Sequence, residues 1–181
     1  DAPVNQLLEC LKAYENRTRS LARRALQEGD PKLVLPALAQ WLEGLDEDDP
    51  EYEHHLVEAL WIHQGLNHVD ESLLERVLSS ENPNARMAGM RALRWWLNDI
   101  DDPWPHLERG VLDPHQGMRL ETVVALGHLP DIRSAELVGL ATSQPMDADF
   151  ETAFNRTLTA LRPWGTPMGE GTIAWQLKQM P

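Results

Sequence analysis

The dipeptide Ala-Leu recurs at Ala25-Leu26, Ala59-Leu60, Ala92-Leu93, Ala125-Leu126 and Ala160-Leu161, at spacings of 34, 33, 33 and 35 residues. Five copies in register within one chain constrain the fold more than any other feature, because self-similarity at such a period marks stacked supersecondary units. Neighbouring columns keep the register. Four residues before each leucine stand Ala22, Leu56, Gly89, Thr122 and Thr157, and three residues after it Gly29, His63, Trp96, Leu129 and Trp164. With the Ala-Leu pair these trace the i, i+3, i+4, i+7 face of an amphipathic helix. Leu21, Ala22, Ala25 and Leu26 show the stripe in the first unit, and a small alanine column lets neighbouring helices approach closely.

Shorter apolar segments alternate with these helices: Val34 to Leu42, Leu73 to Leu78, Leu107 to Leu112 and Leu137 to Leu140. A polar residue and a proline mark the turn before each second helix, at Asp49-Pro50, Asn82-Pro83, Asp113-Pro114 and Gln144-Pro145. Proline suits a helix's first turn, where its missing N–H has no partner to lose. No stretch sustains the apolar-polar alternation of a strand. The expected fold is therefore all-α, an α-solenoid of about five two-helix repeats over residues 1–165. Residues 166–181, following Pro163 and Gly165 and containing Pro167, Gly169 and Gly171, read as a tail or linker.

Hydrophobic residues make up 42% of the chain, and no run approaches the roughly 18 apolar residues of a membrane span. A net charge of -13 excludes nucleic acid as the expected partner, since that binding sets lysine and arginine against phosphate. Between Lys32 and Arg76 there is no lysine or arginine but eleven acidic residues, a surface that favours a basic partner. Cys10 is the one cysteine, so an internal disulfide is impossible and the redox compartment is unreadable. The chain starts at Asp1 without a methionine or a charged-then-apolar leader, which fits a mature form or, on the preferred reading, a segment of something larger.

"NPNARMAGMRAL" and "DPHQGMRLETVVAL" resemble the second helix of HEAT repeats. The Asp-Pro turn, the arginine six residues on (Asp113 to Arg119) and the Ala-Leu that follows carry the likeness. In that family the aspartate and arginine often link neighbouring repeats. Only the fourth unit has both here, since Ser80 stands where Arg86 would want an aspartate. "EHHLVEALWIHQ", "LLERVLSSENPNARMAGMRALRWW" and "RTLTALRPW" further resemble the helical segment of large bacterial exported proteins. Those proteins join a propeller-like sugar dehydrogenase domain, HEAT-like repeats and a c-type cytochrome domain. The resemblance implies a periplasmic or otherwise exported setting and a dehydrogenase-associated parent. This chain has no Cys-x-x-Cys-His and no propeller strands, so neither activity is placed on its residues and no cofactor is expected in it.

Residues 53–68, "EHHLVEALWIHQGLNH", pack four histidines and two glutamates into sixteen positions. His54 and Glu58, four apart on one helical face, have ligand-like spacing, and His63 lies on the Ala-Leu face. A zinc site needs three or four convergent ligands, which no one face of this helix offers. His54, Glu58 and His63 are the metal candidates of the alternative reading, a metal-binding or enzymatic site in the repeat groove. On the leading reading His55 and His63 line the groove as packed side chains. In repeat register Glu53 falls between Arg19 and Arg86, and Glu58 between Arg24 and Arg91. Helices in contact lie about 8–10 Å apart, so two Arg-Glu-Arg rows are expected. Trp61 is expected either to stack under Arg94 or to stand exposed as an anchor for a partner, and one of Trp95 and Trp96 to reach the surface. "DEDDPEYE" fails the calcium-loop template, with glutamate at position 51 and valine at 57.

The functional expectation is a non-catalytic HEAT-repeat scaffold with no catalytic residues of its own. Its expected interaction surface is the second-helix face bearing His54, Glu58, Trp61, Arg91 and Arg94, and its expected partners are proteins, either neighbouring domains or a basic partner. Glycosylases built on HEAT-like folds share the architecture but need a basic groove, which the charge excludes.

Overall fold

The computed structural model describes residues 2–164. The expected tail at 166–181 lies outside the described residues. Within them the chain is all-helical, with ten α-helices and no strand. In chain order these are α1 (Val4–Cys10), α2 (Asn16–Gln27), α3 (Pro31–Glu43), α4 (Tyr52–Gly65), α5 (Glu71–Leu78), α6 (Pro83–Trp95), α7 (Trp104–Val111), α8 (Gln116–Leu126), α9 (Ile132–Leu140) and α10 (Ala148–Leu161). Every Ala-Leu pair falls in the C-terminal half of an even-numbered helix.

Helix starts follow capping chemistry. Asp30, Asp70, Asp131 and Asp147 are N-caps whose carboxylates accept from the N–H of Lys32, Leu73, Arg133 and Phe150, at 2.9, 2.9, 2.7 and 2.8 Å. Each satisfies a donor the first turn leaves open. The Phe150 N–H holds the Asp147 carboxyl below the usual aspartate range. Of the four expected turn prolines only Pro83 opens a helix; Pro50, Pro114 and Pro145 sit in the turns just before α4, α8 and α10.

The chain divides into two compact units, the first ending at Ala92 and the second beginning at Leu93, inside α6. In the first unit α1 packs on α2 and α3, α2 and α3 both pack on α4, and α4 packs on α5. Leu8, Leu26, Leu38, Leu60, Ile62 and Leu74 fill its interior. In the second unit α7 packs on α8 and α9, while α8 and α9 each pack on α10. Its interior holds Trp96, Leu107, Val123, Leu126, Val138 and Phe150. In both units, then, a helix packs on its hairpin partner and on the equivalent helix of the next hairpin.

The leucine column is buried throughout: Leu26, Leu60, Leu93, Leu126 and Leu161 are at most 1% exposed. The alanine column is not. Ala59, Ala92 and Ala125 are fully buried, but Ala25 and Ala160 are exposed. Ala25 belongs to the first hairpin, and Ala160 lines an open groove of about 390 Å³ between α8 and α10. Of the tryptophan pair, Trp96 is the buried member at 2% exposure and Trp95 the surface one at 69%.

Arginine fixes the turns. Nη1 of Arg19 donates to the carbonyls of Ala13 and Tyr14, both at 2.7 Å. Nη1 of Arg86 donates to Ser80 and Glu81, both at 2.9 Å. Nη1 of Arg119 donates to Asp113 and Pro114, at 3.0 and 3.2 Å. The three share one register column and one geometry, a guanidinium folded back onto carbonyls six and five residues before it. Its fixed fork of donors suits two acceptors at once. Arg119 also reaches the next turn, donating to Gln144 Oε1 at 3.0 Å and to the Pro145 carbonyl at 2.7 Å.

Candidate interaction site

Glu53 occupies that arginine column in the second hairpin and works with the opposite polarity. Its carboxylate accepts from the N–H groups of Glu81 and Asn82, at 2.8 and 3.1 Å, so it grips the turn that Arg86 grips from the carbonyl side. The expected row through Arg19, Glu53 and Arg86 therefore does not take the form of direct ion pairs at Glu53. The physical reason is local: a turn entering a helix exposes unpaired N–H groups, and a carboxylate one hairpin away satisfies them.

Glu58 lies on the inward side of α4 at 1% exposure. Oε2 accepts from Nη1 of Arg23 at 2.7 Å. Oε1 lies 3.5 Å from both Arg19 Nε and His54 Nε2. The expected partner Arg24 is elsewhere, paired across the solvent face of α2 with Glu28 at 2.8 Å. One residue along a helix turns a side chain by about 100°, and that rotation gives Arg23 rather than Arg24 to α4. A carboxylate this buried needs its charge matched, and Arg19 and Arg23 supply the match.

Trp61 is half-buried one turn further on. The Arg23 guanidinium lies over its ring at 4.6 Å, and its carbonyl accepts from Gln27 Nε2 at 2.7 Å. Arg94, the expected cation for this ring, faces Glu121 instead, at 3.9 Å within the second unit. Arg91 is exposed on α6. The structure thus gathers His54, Glu58 and Trp61 into one polar-aromatic cluster with Arg19 and Arg23. Arg23 and Gln27, four apart on α2, were missed in the sequence. Their signal was present as a stripe 34 or 35 residues before Glu58 and Trp61.

His63 belongs to a different cluster. It is 5% exposed, with Nδ1 3.1 Å from Nδ1 of His68 and Nε2 3.7 Å from Asp70 Oδ2. Burial pushes its proton affinity down, with Asp70 opposing. His55 is buried against Trp41, the rings edge-on with centroids 6.0 Å apart, and burial lowers its proton affinity as well. The three metal candidates divide accordingly, His54 and Glu58 in one place and His63 in another. Among the described residues no three His, Cys, Asp or Glu side chains are grouped so as to hold a metal ion.

The acidic stretch is mostly exposed, through Glu43, Asp46, Glu47, Asp48 and Glu51. Among the described residues no helix is long and apolar enough to cross a membrane. The chain matches no protein-family model and no curated protein.

Proposed function

We propose that this chain is a non-catalytic HEAT-like scaffold that binds protein through its second-helix face, as a spacer within a larger exported oxidoreductase-like protein. The observation that carries the reading is the packing of like on like. In one unit α1 meets α3 and α2 meets α4; in the other α7 meets α9 and α8 meets α10. Hairpins that bury their faces this way extend into an array and leave one long face free.

The polar residues of α4 support a structural role. The Glu58 carboxylate is committed to Arg23 and Arg19, and the Trp61 ring is covered by Arg23. The Arg119 bridge to the following turn supports the HEAT likeness, where arginine links adjacent repeats. The exposed acidic stretch before α4 favours a basic surface on the partner.

The test is an intact mass and visible absorption spectrum of the native polypeptide from its source, followed by cross-linking. A much larger chain with a haem Soret band, cross-linked to its other domains through α2, α4 and α6, is the expected result. A colourless chain of about this length with no protein cross-links on that face overturns the proposal.

A further inference from the structure

The C-terminal end of α4 is closed by an unusual pair. Its backbone follows the Schellman pattern: Asn67 is left-handed with φ 52°, its N–H donates to Gln64 O at 3.1 Å, and the His68 N–H donates to His63 O at 3.0 Å. In that motif the residue after the left-handed one commonly packs an apolar side chain against the last helical turn. Here histidine stands at both ends of the contact. The rings of His63 and His68 have centroids 5.1 Å apart and are tilted by 44°, with their Nδ1 atoms 3.1 Å apart.

Two ring nitrogens at that distance are hydrogen-bonded only when one carries the proton and the other a lone pair. Two neutral rings hold two protons on four nitrogens, and one of these bridges the pair. A third proton goes to an outer nitrogen and leaves the bridge standing; on His63 that nitrogen faces the Asp70 carboxylate at 3.7 Å. A fourth puts hydrogen on both Nδ1 atoms, so the bridge between the rings is lost and two cations face each other. Asp70 is also the N-cap of α5, accepting from Leu73 N–H at 2.9 Å, so the cluster ties the last turn of α4 to the first turn of α5.

We propose that the His63–His68 ring pair is an acid-released clasp on the α4–α5 joint, closed while the pair keeps one bridging proton and opened when both rings are fully protonated. Solvent reaches the pair through His68, which is exposed. Among the described residues the ionisable groups acting on His63 are His68 and Asp70. Both come from the joint itself, and α2 and α3, also packed on α4, add no charged group that acts on it. Opening loosens the turn that follows Trp61, so the second-helix face changes with the joint.

The experiment is amide hydrogen exchange by NMR on the 181-residue chain, corrected for intrinsic rates, at about pH 7 and about pH 5. Expected is a fall of about tenfold or more in protection at Asn67 and His68 in the unmodified chain. The same amides lose clearly less protection in His68→Leu, where an apolar contact replaces the bridge and only the acid sensitivity of the buried histidines remains. Unchanged protection in the unmodified chain, an equal fall in His68→Leu, or an equal fall across α8 overturns the proposal.

Discussion

Arg23 and Glu58, 35 residues apart in the chain, form a 2.7 Å ion pair on the inward side of α4, with Arg19 and His54 completing the surround of the carboxylate. Both arginines are largely buried, their side chains 18% and 22% exposed. Removing the carboxylate leaves two cations facing each other in a low-dielectric setting. Breaking a buried pair from one side costs about 3–5 kcal/mol, and partial exposure of the arginines reduces that to about 2–4 kcal/mol for Glu58→Ala. Urea unfolding followed by tryptophan fluorescence measures it. A midpoint unchanged from the parent chain would show that solvent already screens the pair. Arg24→Ala, which removes only the exposed bridge to Glu28, is expected to leave the midpoint in place.

The contrast between these two arginines marks how far a single sequence reaches. Hydrophobic period carries the number and order of the helices, the buried leucine column and the expectation that one of Trp95 and Trp96 reaches the surface, because burial acts on every turn alike; that Trp96 is the buried one comes from the structure. Column alignment also brings Glu58 opposite the arginines of α2. It does not choose between Arg23 and Arg24, because a side chain several bonds long reaches diagonally across the gap between helices. Glu53 fails as an arginine partner for a related reason: backbone N–H groups at a turn compete for carboxylates, and no column of side chains reveals them. The His63–His68 contact depends on one left-handed residue, Asn67, and periodicity has nothing to say about a single φ angle.

Arg119 is 2% exposed and serves two successive turns through four acceptors, at Asp113, Pro114, Gln144 and Pro145. A lysine keeps the charge but, as a single compact ammonium, cannot span acceptors on two turns, so Arg119→Lys leaves part of this set, which includes the buried Asp113 carbonyl, short of a donor. The expected loss is about 2–4 kcal/mol, nearly as large as that of Arg119→Ala. A lysine variant as stable as the parent would show that charge alone does the holding.

Gly89 lies within α6, where a helix former is normally welcome. Replacing an interior glycine by alanine gains about 1 kcal/mol of helix propensity. A Cβ at this position would sit 3.0 Å from both Leu78 Cδ2 and Val77 Cγ1, and both neighbours are buried with little room to yield. Overpacking of this kind costs about 1–3 kcal/mol, so Gly89→Ala is expected to be net destabilising. A rise in melting temperature would mean that α5 shifts away at little cost.

His55 supplies a pH dependence with a definite sign. Its ring is 4% exposed against Trp41, and burial is the largest influence lowering its proton affinity. Asp49 and Glu51 oppose that lowering, while His54 and Lys12 add to it. The folded chain therefore binds this proton less readily than the unfolded chain, whose imidazole titrates at about 6.5. The stabilising contribution is complete above that value and is lost as the pH falls through it toward the lower folded value. Melting temperature is expected to drop between about pH 7.5 and about pH 5.5. His55→Phe keeps a flat ring beside Trp41 and removes the titration, so the gap between the two pH values narrows, leaving the part that belongs to His63. Melting curves at the two pH values on both chains decide the matter. An equal gap in the variant would place the acid sensitivity entirely outside His55.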